Sequence, residues 1–171
     1  MVGSMVLFAH ATGISSPWFS VTAGFVLLGI MDIFRPYLSL ALPRALHKSS
    51  DWERTGIVYR YLGVIAFGRF LQKSPLRYLN RWVYLTSNSR DWEAVRSHVA
   101  WSEAAHFWAA VLTIPYLAVA LARGWWSVLA ALLVFDVAVN LYPILHLRWV
   151  RTRLDRALPR RRRLQGHEPN A

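Results

Sequence analysis

Glu103 and His106 stand three residues apart in Trp101-Ser-Glu-Ala-Ala-His-Phe-Trp108, at the head of a long, mostly apolar run. On a helix that spacing puts a carboxylate and an imidazole on one face. A carboxylate beside an imidazole orients the ring and raises its basicity, so His106 could take a proton from a hydroxyl. A capping Glu and an interfacial His at a helix start account for the same spacing without any chemistry. Glu-x-x-His is also a half-site of carboxylate-bridged metal clusters. A second half-site is missing, because Asp136 and Asn140 are one turn apart with no His at the matching spacing, and no metal is assigned. Asn140 lies inside a second apolar run, with Asp136 one turn deeper. Polar groups at such depth are costly and count as functional candidates, although hydrogen bonding between helices explains them equally well. Tyr142-Pro143 adds a kink, and Arg148, Arg151 and Arg153 follow where the run ends. Guanidinium forks bind phosphate or carboxylate in pairs, while anchoring of a helix end also accounts for a basic exit.

These residues need two helices running side by side. Each apolar run is long enough to cross a bilayer, at about 20 residues per ~30 Å of hydrocarbon. With a break at Gly124-Trp125-Trp126 they form an antiparallel hairpin, and residues equidistant from Gly124 share a depth. Glu103 and His106 then lie level with Asn140 to His146. The expected spans are 18–42, 102–123 and 125–147. The first starts at Ser15-Ser16-Pro17, where Pro suits the first turn, and Pro36 is expected to kink or end it. Asp32 and Arg35 read as a helix-end salt bridge. Between the first two spans, 51–100 is polar and Arg-rich, with an interfacial or re-entrant helix over 57–71 and an amphipathic stretch from Asp91 to His98 that leads toward the next helix. Residues 1–164 read as one membrane domain and 165–171 as a disordered tail. No internal repeat is visible.

Composition agrees. A chain of 171 residues with 55% hydrophobic residues and 9 Trp exceeds soluble usage. Its net charge of +11 sits in blocks between apolar runs rather than over a folded surface, which speaks against a nucleic-acid partner. The middle segment and the eight arginines of 148–163 lie on one side of three crossings, so the positive-inside rule places the N-terminus outside and the C-terminus in the cytoplasm. The run Arg160 to Arg163 suits anionic headgroups. The first residues lack the basic start of a signal peptide, so the first span is expected to be retained. With no cysteine there is neither a disulfide framework nor a thiolate. Phosphate-cradling Gly loops and Gly-x-Ser-x-Gly elbows are absent from the sequence. The fold class expected is an all-α integral membrane protein in the cell membrane.

Three segments resemble the glycosyl-diaponeurosporenoate acyltransferases, the small bacterial carotenoid-glycoside acyltransferases of the staphyloxanthin pathway. Trp52-Glu53-Arg54-Thr55-Gly56 followed by Tyr59-Arg60 is similar to that family's Glu-x-x-Gly stretch. Ser102-Glu103-Ala104-Ala105-His106-Phe107-Trp108 resembles its Glu-x-x-His-Trp helix start, and Asn140 to Leu154 its Asn, Pro, Arg-x-x-Arg-x-Arg-Leu ending. Two departures stand out. Leu147-Arg148-Trp149-Val150-Arg151 lacks both amides of the family's Gln-Arg-Tyr-Asn-Arg, and Ala66-Phe67-Gly68-Arg69 replaces its Trp-Lys. The resemblance implies transfer of a fatty acyl group from a donor to a sugar hydroxyl of a membrane-embedded terpenoid glycoside. On that reading His106 is the general base, Glu103 orients it, and Asn140 positions the acceptor or stabilises the oxyanion. Arg148 and Arg151 hold phosphates of a thioester donor, and Arg153, Tyr142, Glu53 and Tyr59 complete the expected substrate contacts. No cofactor is expected beyond that fatty acyl thioester co-substrate. The expected partners are a lipid or glycolipid acceptor, the acyl donor and, given intramembrane Asp136 and Asn140, a second copy of the chain. The alternative from another class is a non-catalytic small membrane subunit that binds lipid or a partner helix.

Overall fold

A computed structural model describes residues 13–40, 42–43, 53, 55–78 and 92–165. Among these residues there is no strand. The helices are α1 (Pro17–Leu40), α2 (Ile57–Tyr61), α3 (Val64–Lys73), α4 (Trp92–Ala122), α5 (Trp126–Phe135) and α6 (Tyr142–Gln165), with a 3₁₀ turn at Pro75–Tyr78. A π-helical segment, Asp136–Leu141, joins α5 to α6 without a break. Three helices are long and apolar enough to cross a membrane: α1, α4 and the continuous α5–α6 rod. The chain forms two compact units, Met1–Ala41 with Ala104–Ile144, and Leu42–Glu103 with Leu145–Ala171.

In the first unit α1 begins where Ser16 and Pro17 place it, the Ser16 carbonyl accepting the first helical bond from the Ser20 N–H at 3.1 Å. It runs through Pro36 to Leu40, so the proline neither ends it nor shortens the span. The expected Asp32–Arg35 pair falls on an Arg side chain outside the described residues. At the hairpin tip Gly124 takes φ +64°, a left-handed value that costs glycine nothing. The Trp125 N–H then reaches the Ala120 carbonyl (2.9 Å) and the Gly124 N–H that of Leu121 (3.1 Å), closing α4 with a Schellman motif. Ala120, Val128 and Leu132 form the core beneath, with Tyr116 and Trp125 packed against it.

Helix α1 comes close to α5 through Gly24, where a Cβ would lie 2.6 Å from Phe135 Cε1. Phe25 meets the same ring edge-on, with centroids 4.9 Å apart. Phe135 immediately precedes Asp136, where the π segment starts. Gly24→Val should cost about 1–3 kcal/mol by overpacking, measured as a fall in the apparent unfolding midpoint in detergent. At the far end of α1 the Leu38 carbonyl accepts the Trp108 indole N–H at 3.3 Å.

The second unit holds α2, α3, the first turns of α4 and most of α6. Helix α4 starts at Trp92, so the stretch read as leading toward the next helix forms its first two turns. The apolar segment 57–71 divides into α2 and α3 at Gly63. Val95 and Val99 of α4 pack on Leu147 and Leu154 of α6 around a buried core. An exposed ion pair, Arg96 Nε to Asp155 Oδ1 at 2.6 Å, closes its outer edge. Of the expected tail only Gln165 is among the described residues.

Candidate functional site

The second unit contains a buried ion cluster. Arg148, on α6, bonds Glu53 twice, Nε to Oε1 at 2.6 Å and Nη2 to Oε2 at 3.0 Å. Its Nη1 reaches Glu103 Oε1 at 3.1 Å. Arg151, one helical turn on, places Nη1 2.6 Å from Glu103 Oε2. Tyr59 of α2 donates its hydroxyl to Glu53 Oε1 at 2.9 Å. All five side chains are buried, Glu53 and Glu103 to 1% exposure. Two carboxylates and two guanidinium groups balance in charge, the condition under which ions are tolerated away from water. Burial, and then the bond to ionised Glu53, hold the Tyr59 phenol well above its ordinary pKa, so it remains a neutral donor. Tyr59 also leans on Trp149, with ring centroids 5.8 Å apart.

A second polar group lies in the first unit, among the apolar faces of α4 and the π segment. Asn140, fully buried, donates Nδ2–H to Asp136 Oδ1 at 2.7 Å. Thr113 of α4 sits with Oγ1 2.6 Å from Asp136 Oδ2 and 2.7 Å from the Ala110 carbonyl, and its single proton serves one of the two at a time. The His106 ring lies beside the Asn140 side chain and the Val139 carbonyl, within reach of the charge of Asp32. Its Nδ1 is buried and makes no hydrogen bond. The Val139 carbonyl is open to a side-chain donor for a local reason. Pro143, four residues on, has no N–H to give it, and the wider turns of the π segment accommodate the same defect.

The structure thus sorts the nine residues singled out from the sequence. Glu53, Tyr59, Glu103, Arg148 and Arg151 share the ion cluster, while His106 and Asn140 belong to the other unit. The Glu103 carboxylate, expected to orient His106, has both oxygens on arginines. All three guanidinium nitrogens of Arg148, expected to meet donor phosphates, are on carboxylates. Arg153 is exposed, its guanidinium 5.4 Å from the Trp149 ring centroid, and Tyr142 is half-buried at the start of α6. Sequence reasoning missed Thr113. It lies eleven residues before Gly124 and Asp136 twelve after, so the hairpin symmetry that levelled His106 with Asn140 also carried this pair.

The sequence model of the glycosyl-4,4'-diaponeurosporenoate acyltransferase family matches residues 43–160. The chain belongs to this family. No curated protein and no solved structure matches it. The matched stretch includes every member of the ion cluster and of the Thr113, Asp136, Asn140 and His106 group, whereas α1 lies ahead of it. Chemically the two groups differ. The ion cluster has opposite charges already joined, so it holds elements together. The His106 group ends on a buried imidazole nitrogen, Nδ1, that makes no hydrogen bond.

Proposed function

We propose that the chain is a membrane-embedded acyltransferase that moves a fatty acyl group from a thioester donor to a sugar hydroxyl of a carotenoid glycoside or a related terpenoid glycoside. Family membership supports the reaction class, and the apolar helices support the setting. Phe25, Ile33, Ile114, Leu133 and Val134 all lie exposed on the long helices, an outward apolar surface that suits hydrocarbon rather than water. The positive-inside bias of 44–100 and 148–163 puts the N-terminus outside and the donor side in the cytoplasm.

One observation carries the assignment: the buried Nδ1 of His106, which makes no hydrogen bond. In this reading Nδ1 takes the proton of the acceptor hydroxyl as its oxygen attacks the thioester carbonyl. The C–S bond breaks, the ester forms, and the imidazolium returns the proton to the departing thiolate. Water is kept out by the apolar surroundings.

Donor phosphates are assigned to Arg153, whose guanidinium is at the surface, and not to Arg148, whose nitrogens already bridge two carboxylates. Arg153→Ala should raise the KM for a phosphate-bearing acyl thioester roughly tenfold, the scale of one charge-assisted bond, with kcat little changed. An unchanged KM would remove Arg153 from the donor site.

The reaction itself is tested in cells that make glycosyl-4,4'-diaponeurosporenoate, with and without this chain. Mass spectrometry of lipid extracts should show the glycoside gaining a fatty-acyl mass only when the chain is expressed. No such gain, with the protein abundant in the membrane, would overturn the proposal.

A further inference from the structure

We infer that α2 and α3 form an interfacial platform for anionic phospholipid, with Arg60, Arg69 and Lys73 on headgroup phosphates and Ile57, Tyr61 and Phe70 among the acyl chains. The platform requires only the membrane setting, not the acyl-transfer reaction. Its depth is set by α6. The apolar run of the α5–α6 rod ends at Leu147, and Arg148 opens the basic stretch that follows. Residues 146–149 therefore stand where hydrocarbon gives way to headgroups. Both short helices dock there. A Cβ on Gly56, the residue ahead of α2, would lie 3.1 Å from the Trp149 indole, and Tyr59 leans on the same ring. A Cβ on Gly68 of α3 would overlap the His146 imidazole, which Phe67 meets edge-on.

The opposite faces of the two helices carry the binding chemistry. On α2, Ile57, Arg60 and Tyr61 share an exposed face across from buried Tyr59. On α3, Arg69, Phe70 and Lys73 are exposed across from buried Val64 and Gly68. Tyr61 is 87% exposed and Phe70 59%, so large apolar side chains stand outward among cations. At headgroup depth that mixture meets both acyl chain and phosphate. Arg60, Arg69 and Lys73 make no ion pair among the described residues. Every charged residue from 54 to 90 is Arg or Lys, so no carboxylate of the segment competes with a phosphate. A re-entrant dip would instead carry Arg60 and Arg69 into hydrocarbon at a cost that no partner offsets. A soluble phosphate would satisfy the cations but leave Tyr61 and Phe70 in water, which favours a lipid.

The chain has no cysteine, so a single introduced thiol labels one site. Full-length protein with a nitroxide at Tyr61→Cys or Phe70→Cys is placed in nanodiscs of phosphatidylcholine and phosphatidylglycerol. Both labels should be relaxed by oxygen, which partitions into acyl chains, and shielded from a water-soluble nickel chelate. A label at Ser97→Cys should show the reverse. Ser97 is exposed beside Arg96, whose partner Asp155 lies two turns past Arg148 on α6. Native mass spectrometry then compares affinities for phosphatidylglycerol and phosphatidylcholine. Replacing Arg60, Arg69 and Lys73 together by Gln should lower that preference roughly fivefold or more, the scale of one cation at an anionic surface. The Arg160 to Arg163 run is kept in every variant. Labels at 61 and 70 that respond to the chelate would overturn the inference. So would labels shielded from both reagents and broadened by coupling between copies, the mark of a second chain on this surface. An unchanged lipid preference in the triple variant would also overturn it, as would a wild-type preference abolished by inorganic phosphate at matched ionic strength. Should the triple variant not fold, the single variants Arg60→Gln, Arg69→Gln and Lys73→Gln decide by the same readout.

Discussion

Arg148→Ala is expected to destabilise the protein by about 3–5 kcal/mol, the scale on which removal of one partner from a buried ion pair is felt. Glu53 and Glu103 are each 1% exposed, and Arg148 supplies two bonds to the first and one to the second. Without it Glu53 retains the Tyr59 hydroxyl, a neutral donor that cannot balance a charge. Arg151 still faces Glu103, so the carboxylate that loses two guanidinium bonds is Glu53. Arg148→Lys should recover only part of the loss, since an ammonium is a point charge and cannot grip one carboxylate with two nitrogens while reaching another. The control is Arg96→Ala. Its pair with Asp155 is as short, 2.6 Å, but the side chains are 47% and 36% exposed, and exposed pairs contribute about 0–1 kcal/mol. Apparent unfolding midpoints in detergent should therefore separate the two alanine variants widely. Similar midpoints would mean that the cluster is not holding its unit together.

Much of this arrangement could be read from the chain because a hairpin converts sequence distance into depth. Gly124 as the turn point, and the levelling of Glu103 and His106 with Asn140 to His146, need only counting along two helices. The same counting reaches Thr113 and Asp136. Glu53 is different. It joins Arg148 across 95 residues, beyond any helical periodicity, and its partner reads equally well as an interfacial anchor until the fold is known. The partners of Glu103 are hidden from the sequence for a related reason. Spacing of three shows which residues share a helical face, but a carboxylate follows the nearest cations, and two arginines one turn apart on α6 take both of its oxygens. Pro36 shows the reverse, a local stop signal that the helix overrides. The π segment left only an indirect mark, Pro143 following Asn140 within one turn.

The two polar groups differ in charge. A cluster of joined charges resists rearrangement, because moving one member would strand an ion. In the proposed mechanism the imidazole of the other group takes up a proton and returns it. Losses of activity from the first group should therefore follow losses of folded protein, and those from the second should not.

His106→Ala is the sharpest case of that distinction, and its expected effect is a loss of acyl transfer of about 10²–10⁴-fold, the contribution of a positioned general base. The ring is only partly buried and stands beside Asn140 and the Val139 carbonyl. Truncating it should therefore lower the amount of folded protein far less than Arg148→Ala. Glu103→Gln makes the complementary change. It removes a charge shared by Arg148 and Arg151 and keeps the shape, so it should lower stability while the transfer rate per folded molecule falls much less than in His106→Ala. Measuring acylated glycoside by mass spectrometry, normalised to membrane-inserted protein, separates the two. A His106→Ala protein that retains wild-type product per molecule would remove the base from this ring. A Glu103→Gln protein that loses as much per molecule as His106→Ala would return the carboxylate to the chemistry, as the three-residue spacing first suggested.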